Sequence, residues 1–131
     1  MARLPDEARR RLEAPYIWHI ATVMEDGSPQ VTPVWADVSG DQILVNTAIG
    51  RRKEKNVRRD PRVAMSMVDP ENTDSQVHIR GRVVEFVEGD AALENVNALA
   101  KKYHGFDEYP WLAPGEKRVI FKIEPTAVVT V

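Results

Sequence analysis

The side chains best equipped for chemistry form a short cationic run in the segment NTAIGRRKEKN, residues 46–56. Residues 51–60 carry six Lys or Arg and two acidic side chains, although the whole chain has a formal net charge of −2. A strand that ends just before a helix N-terminus presents backbone N–H groups without intrahelical partners, and such groups attract anions. The run therefore predicts a site for a small anionic ligand rather than a long polyanion.

Three consecutive side chains are the predicted anion ligands at this point. Arg51 and Arg52 can each grip two oxygens of a phosphate, whereas Lys53 acts as a point charge. Thr47 and Asn56 are candidates for neutral hydrogen bonds to the same group. A charged helix that is merely solvated is the alternative, because short clusters of Arg and Lys are common on protein surfaces.

A second candidate is the strand-like segment QVTPVWA, which begins at residue 30. Thr32, Pro33 and Val34 are a polar, a rigid and an apolar residue in succession, and Pro33 removes a backbone donor. A flat heterocycle could pack on such a strand while backbone groups bind its edge. The alternative is an ordinary edge strand with Trp35 packed in a core.

The remaining reactive residue types give no sign of a hydrolytic or metal site. His19, His78 and His104 lie far apart with no ligand spacing, so no metal is expected, and His19 is expected to be a buried structural residue. No general acid/base pair of carboxylates, nucleophile elbow, GxGxxG or P-loop is found, and no residue is assigned a catalytic role. This combination favours a protein whose cofactor supplies the chemistry.

Composition excludes several broad classes of protein. The chain lacks cysteine, which excludes disulfides and thiolate chemistry. Its apolar runs are shorter than the roughly 18 residues that span a bilayer, and its charged start does not resemble a signal peptide. A cytoplasmic protein without membrane or nucleic-acid partners is expected. A small RNA-binding barrel is disfavoured because the net charge is negative and aromatic residues do not interleave with the basic run.

The element pattern is mainly β and predicts one domain over residues 1–131. Strands are predicted over 16–24, 30–38, 43–49, 63–69 and 76–87 and within 117–131, helices over 5–13, 51–60 and from Asp90 onward, and loops over 70–75 and 104–116. The Asp-Gly turn and a second tight turn predict that the first three strands form a β-meander. Six or seven mostly antiparallel strands indicate a closed or nearly closed barrel, whose filled interior leaves a cofactor to bind outside it or between subunits.

These residues resemble the split β-barrel flavin and deazaflavin proteins, the pyridoxamine 5′-phosphate oxidase-like superfamily of FMN-binding split barrels. The resemblance is closest to the actinobacterial branch that uses the deazaflavin coenzyme F420. The stretches that carry it are IATVMEDGSPQVTPVW (20–35), ILVNTAIGRRKEKNVRRDPRVAMSMVDP (43–70), HIRGRVVE (78–85) and KKYHGFDEYP (101–110).

The resemblance implies a homodimer with two cofactor sites in clefts between the subunits. It implies that the cofactor phosphate is held by Arg51 and Lys53, with Arg52 and Asn56 adjacent, and that the ribityl chain lies near Asn46 and Thr47. The ring would lie along Val31, Thr32, Pro33 and Val34. From the other subunit, the ring would be covered by Gln76, His78 and a loop around Tyr109 and Trp111. The charge at residues 51–55 would then meet the cofactor phosphate and the acidic glutamate tail of coenzyme F420, and such a multiply charged anion explains six cations better than a single phosphomonoester would.

The implied activity is that of a coenzyme F420-dependent oxidoreductase, which transfers a hydride between the reduced coenzyme and a small conjugated or unsaturated substrate. FMN in place of the deazaflavin is one alternative, and a non-enzymatic protein that binds a flavin, a deazaflavin or haem is another. Oxidation of pyridoxamine phosphate is disfavoured, because the final residues EPTAVVTV lack the basic cluster of those oxidases.

Overall fold

The computed structural model describes residues 2–131, so the domain boundary expected at residue 1 lies outside the described residues. Residues 2–131 form three helices and seven strands. In chain order they are α1 (Asp6–Glu13), β1 (Trp18–Val23), β2 (Pro29–Val34), β3 (Ala36–Ser39), β4 (Gln42–Ala48), α2 (Arg52–Arg59), β5 (Arg62–Asp69), β6 (Asn72–Glu88), α3 (Asp90–His104) and β7 (Arg118–Thr130).

The strands within residues 2–131 form one antiparallel sheet in the order β2-β1-β5-β6-β7-β4-β3. The two edge strands, β2 and β3, follow each other in the chain and are separated by Trp35 alone. The sheet must therefore curl until its two edges approach each other at Trp35. This confirms the predicted mainly β fold of split-barrel type, with a seam between β2 and β3 in place of continuous hydrogen bonding.

The predicted strand over residues 30–38 is wrong as a single element. Residues 29–34 pair with β1, whereas residues 36–39 pair with β4 at the opposite edge of the sheet. The chain must change direction at Trp35 to reach both partners, so the predicted three-strand meander is also wrong. Pro33 lies in the edge strand β2, where the missing backbone donor costs no bond between two strands.

One face of the sheet encloses the core, whereas the outer face is covered by α3 at β4, β6 and β7 and is exposed elsewhere. Trp18 and Ile20 of β1 are buried, but His19 between them is exposed on the outer face. The prediction of a buried His19 is therefore wrong, because side chains along a strand alternate between the two faces. The largest fully buried side chains are Trp18, Phe121, Leu12, Ile20, Ile43, Ile79, Leu99 and Ile123.

The β5–β6 hairpin and β7 are more regular than the sequence predicts. β6 begins at Asn72, so most of the predicted polar loop 70–75 is strand. β7 continues through Pro125 as one strand, with a shift in register opposite Gly81. A Cβ atom on Gly81 would lie 2.6 Å from the carbonyl oxygen of Glu124, so only glycine permits this approach of β6 and β7.

The helices of the described residues include none that is long and apolar enough to cross a membrane.

Candidate functional site

A groove of about 300 Å³ lies at the seam of the barrel and is called the seam groove below. It is bounded by the ends of β2 and β4, the start of α2, one side of α3, the loop before β7 and the first residue of β7. Seven residues predicted as cofactor ligands line it: Pro33, Val34, Asn46, Thr47, Arg51, Lys53 and Trp111. The fold thus brings together two segments that the sequence singled out separately.

The turn between β4 and α2 positions the cationic end of the groove. Gly50 adopts a φ of 101°, a left-handed conformation that favours glycine, and α2 begins two residues later. The Glu54 carboxylate accepts the backbone N–H of Gly50 at 2.9 Å and holds the turn against the first turn of the helix. Arg51, at the N-cap, and Lys53, in the first helical turn, both reach the groove as a result.

Lys53 lies in an electropositive setting. Its side chain is half-buried, and burial lowers the pKa of Lys53 below its ordinary value. The positive charges of Arg51 and Arg118 lower the pKa of Lys53 further. An anion bound among these three groups would relieve their mutual repulsion, so the groove is electrostatically suited to a phosphate or carboxylate.

Arg118 is a site residue that the sequence did not identify. It is the first residue of β7, and its guanidinium is nearly buried, with donors to Asn46 Oδ1 and Glu116 Oε2, both at 2.9 Å. It also lies over the Tyr109 ring, 5.0 Å from the centroid. Only the pairing of β4 with β7 brings it beside Asn46, and no local sequence signal reveals that pairing.

The cationic side chains of residues 51–60 point in different directions and have different partners. Arg58 is paired with Glu54 and Glu88, and Arg59 donates to the carbonyl oxygen of Val23. The exposed side chains of Arg52 and Lys55 are outside the set that lines the groove. The helix directs its charges to different sides, and the expectation that this charge meets one multiply charged anion stays a prediction. Arg51, Lys53 and the unpredicted Arg118 are the cations that line the groove.

Two threonine hydroxyls are buried without partners. Within residues 2–131, the Oγ1 atoms of Thr47 and Thr32 are the buried side-chain polar atoms that lack a hydrogen bond. Buried polar groups are nearly always hydrogen-bonded, so an exception calls for an explanation. Thr47 lines the groove beside Arg51 and Lys53, where a ligand oxygen would satisfy its hydroxyl.

The two predicted asparagines are already engaged within the protein. Asn46 lines the groove, but its amide donates to Ala92 O and Asn95 Oδ1 on α3 and accepts from Arg118. Asn56 is fully buried, and its amide donates to Thr22 Oγ1 at 3.0 Å. Asn46 therefore positions Arg118, whereas Asn56 fastens α2 to β1 and lies outside the groove.

Aromatic rings also line the groove, and one of them lies under Arg118. Trp35 stacks on Tyr103 with centroids 5.2 Å apart, and Tyr109 and Trp111 pack edge-on or tilted against it. The loop that carries them is fastened to α3 by a hydrogen bond from the Tyr109 N–H to Asn97 Oδ1. Tyr109 and Trp111 were expected to reach the site from another subunit, but in the structure they border the groove of their own chain.

Three predicted ligands lie on the outer face of the sheet instead. Val31 and His78 line a second groove, called the outer groove, with a volume of about 380 Å³. Gln76 is linked to His78 by a contact of 2.9 Å between Gln76 Oε1 and His78 Nε2. These residues are outside the set that lines the seam groove of the same chain, so a role for them there would require a second copy.

The described residues contain no cluster of three or more His, Cys, Asp or Glu side chains suited to a metal ion. The seam groove combines cationic side chains with aromatic and apolar ones. Such a site can hold a molecule that has a negatively charged arm and a planar ring, and can shield the ring from water on one side.

Comparisons with known proteins identify the family and the fold. The model of the family described as pyridoxamine 5′-phosphate oxidase matches residues 4–131. A solved protein named F420 reductase is 32% identical over 96% of this chain and 98% of its own, with a TM-score of 0.83. The conserved hypothetical protein Rv2991 from Mycobacterium tuberculosis is 25% identical over 99% of this chain and 85% of its own, with a TM-score of 0.74.

A more distant structure shares the fold alone. General Stress Protein 26 from Bacillus anthracis is 18% identical over 93% of this chain and 88% of its own, with a TM-score of 0.67. No curated protein matches the chain.

Proposed function

The chain belongs to the pyridoxamine 5′-phosphate oxidase family, and from this premise we propose that it is an oxidoreductase that binds coenzyme F420 in the seam groove. Its reaction is the transfer of a hydride between the reduced coenzyme and a small conjugated or unsaturated organic substrate. Flavin-type cofactors fit the fold of this family, and the similarity to a protein named F420 reductase favours the deazaflavin.

One observation supports the proposal most strongly. A single groove brings the cations Arg51, Lys53 and Arg118 together with aromatic and apolar side chains, and the unpaired Thr47 hydroxyl also lines it. Arg51 and Lys53 would hold the phosphate, and Thr47 would donate to the same arm. Pro33, Val34 and Trp35 would form the surface on which the ring lies.

The chain's own residues contribute binding and orientation. When bound, the reduced coenzyme supplies the hydride, and the protein must align the ring with the acceptor and keep water away. Arg118 is held in place by Asn46 and Glu116, so its charge is preorganised at the groove wall. Trp111 is 55% exposed at the mouth and would pack against the substrate side of the ring.

FMN is the second candidate ligand, because it carries a phosphate arm and a ring of similar shape and because the family name is that of an oxidase. A non-enzymatic carrier of a flavin, a deazaflavin or haem is a third candidate function.

Parallel titrations of the purified protein with coenzyme F420 and with FMN distinguish these two cofactors. Tighter binding of coenzyme F420, followed by loss of its reduced form when conjugated acceptors are added, is the expected result.

The proposal fails if FMN binds and coenzyme F420 does not. Binding of coenzyme F420 without turnover across quinones, unsaturated lactones and tetrapyrroles would support the carrier reading instead. A Soret band in the purified protein would support haem binding.

We also propose that the active form is a homodimer that pairs through the outer sheet face. Val31, Val129 and Val131 expose 63%, 52% and 66% of their surfaces, and the outer groove beside them is lined largely by small or apolar residues. Burial of this face against a second copy would remove the apolar surface from water. It would also place Gln76 and His78 at the subunit boundary.

Light scattering on a size-exclusion column tests the dimer. Replacing Val31 by Lys should convert a dimer to a monomer, whereas replacing the exposed Leu93 on α3 by Lys should leave the mass unchanged. A monomeric wild-type protein that still turns over coenzyme F420 would refute this assembly.

A further inference from the structure

The chain crosses the seam of the barrel at Trp35, and both backbone polar groups of the next residue bind side chains of α3. That residue, Ala36, is fully buried and begins the edge strand β3. Its N–H donates to the Tyr103 hydroxyl at 3.0 Å, and its carbonyl oxygen accepts a hydrogen bond from Lys102 Nζ at 2.6 Å. Two buried backbone groups at the break in the barrel are therefore satisfied by one helix.

The same two side chains also bind the chain on the β1 side of the seam. The Tyr103 hydroxyl donates to the carbonyl oxygen of Tyr16, and Lys102 Nζ donates to that of Leu12, both at 2.6 Å. Leu12 belongs to α1, and Tyr16 lies between α1 and β1. Lys102 and Tyr103 therefore join the segment before β1 to the start of β3, and we call the pair the seam bridge.

The Tyr103 hydroxyl is suited to this double role. Burial raises the pKa of Tyr103 to about 12, so the hydroxyl keeps its proton at neutral pH. A neutral phenol can donate one hydrogen bond while its oxygen accepts another. It can therefore bind the Tyr16 carbonyl oxygen and the Ala36 N–H at the same time, which a phenylalanine in its place could not do.

Tyr103 also contacts Trp35 directly. The two rings are stacked, with centroids 5.2 Å apart and an interplanar angle of 14°. Trp35 belongs to neither β2 nor β3, so strand pairing does not fix its position. Lys102 and Tyr103 are outside the set of residues that lines the seam groove, in contrast to Trp35. The seam bridge can therefore affect a ligand in the groove by way of the indole.

We propose that Lys102 and Tyr103 are positioning residues, which hold Trp35 at the wall of the seam groove in the orientation that a bound ring requires. The hydroxyl and the ammonium fix the backbone of Ala36, and the Tyr103 ring supports the indole of the residue before it. This inference rests on the proposed function, because it takes Trp35 as part of the surface on which the cofactor ring lies.

Motion of the Trp35 indole in the unliganded protein is the first test. Tyr103→Phe removes the hydroxyl and keeps the stacked ring. The ¹⁵N heteronuclear NOE of the Trp35 indole N–H should fall in this variant, since the NOE reports fast motion of that group. The NOE of Trp18, whose indole donates to the Arg11 carbonyl oxygen, should stay unchanged. Tyr16→Phe is the matched control, because the bridge uses the carbonyl oxygen of Tyr16 and not its side chain.

Calorimetry with coenzyme F420 is the second test. The affinity should fall about fivefold in Tyr103→Phe, which is the size of effect that one net hydrogen bond produces, and should be unchanged in Tyr16→Phe. Lys102→Met removes the ammonium and keeps an apolar stem, and it should change the NOE and the affinity in the same direction. It replaces Tyr103→Phe in both tests if circular dichroism shows that Tyr103→Phe does not fold.

Two results would overturn the inference. One is an unchanged Trp35 NOE in the folded variant, and the other is a mobile Trp35 with unchanged affinity for coenzyme F420, because the indole would then not support the ring. A wild-type protein that does not bind coenzyme F420 would instead contradict the proposed function. The NOE, which needs no ligand, would still decide whether the seam bridge positions Trp35.

Discussion

Replacement of Lys53 by Ala should weaken the binding of coenzyme F420 more than replacement of a neighbouring cation that lies outside the seam groove. At a separation of about 4 Å, a pair of unit charges gains about 1 kcal/mol in bulk water and about 4 kcal/mol at an effective dielectric constant near 20. Lys53 is half-buried and lies between these limits. An intermediate loss of about 2–3 kcal/mol corresponds to a decrease of about 30- to 150-fold in affinity.

The matched control is Lys55→Ala. Lys55 belongs to the same helix and carries the same charge, but it is exposed and is not among the residues that line the seam groove. Its removal should change affinity by less than about twofold, because exposed charges are strongly screened. Isothermal calorimetry with coenzyme F420 at low and high salt measures both variants. The difference between them should persist at high salt, since partly buried pairs are screened less.

The pH dependence gives an independent check on the same group. Because burial and two neighbouring arginines lower the pKa of Lys53, it loses its proton at a lower pH than an ordinary lysine. Affinity should therefore decline as the pH rises through this lowered value, and the decline should be absent in Lys53→Ala. Equal losses of affinity in the Lys53 and Lys55 variants, or no loss in a folded Lys53→Ala protein, would refute the assignment of the phosphate to this end of the groove.

Three further predictions concern stability. Gly81→Ala should cost about 2 kcal/mol or more in free energy of unfolding, because its Cβ would meet the Glu124 carbonyl oxygen at 2.6 Å; an unchanged urea midpoint would contradict this. Asp69→Asn should lower the free energy of unfolding, since Asp69 is paired with the nearly buried Arg11 at 2.7 Å. The Arg11 guanidinium and backbone donors lower the pKa of Asp69 in the folded protein. The ionised carboxylate therefore stabilises the fold above about pH 4, and this stabilisation is lost as the pH falls through the pKa of the folded state. The free energy of unfolding of the variant should fall less steeply with decreasing pH than that of the wild type. Burial raises the pKa of Tyr103 from 10.0 to about 12 in the folded protein. The neutral phenol therefore stabilises the fold at pH values below the pKa of the unfolded chain, and this stabilisation is lost as the pH rises through the pKa of the folded state. Urea unfolding of Tyr103→Phe should lack that alkaline decline, and an identical pH profile would count against it.

Local signals allowed the cationic turn to be predicted closely. Gly50 ends the strand and Pro61 follows the helix, so the predicted helix 51–60 differs from the observed α2 by one residue at each end. Arg51 and Lys53 could be selected because they follow a strand end directly. The direction of Arg58 and Arg59 could not be predicted in the same way, because it depends on Glu88 and on the Val23 carbonyl, which lie far away in sequence.

The features that the sequence did not predict depend on long-range pairing. Both sides of Trp35 have β-like sequences, and only their different partners, β1 and β4, show that the strand must break there. Arg118 enters the groove because β7 pairs with β4, more than 70 positions earlier in the chain. The exposure of His19 could not be predicted for a different reason. Its apolar neighbours Trp18 and Ile20 indicate a strand, but they do not reveal that the opposite face of that strand is uncovered.

The proline content of β2 has a consequence for behaviour in concentrated solution. β2 forms an edge of the sheet, and an uncovered edge can recruit strands from other molecules. Pro29 and Pro33 interrupt its row of backbone donors, and the opposite edge, β3, is only four residues long. The split in the barrel thus opens a binding groove while both exposed borders remain poor templates for fibril growth. Replacing both prolines by Val would be expected to speed aggregation on gentle heating.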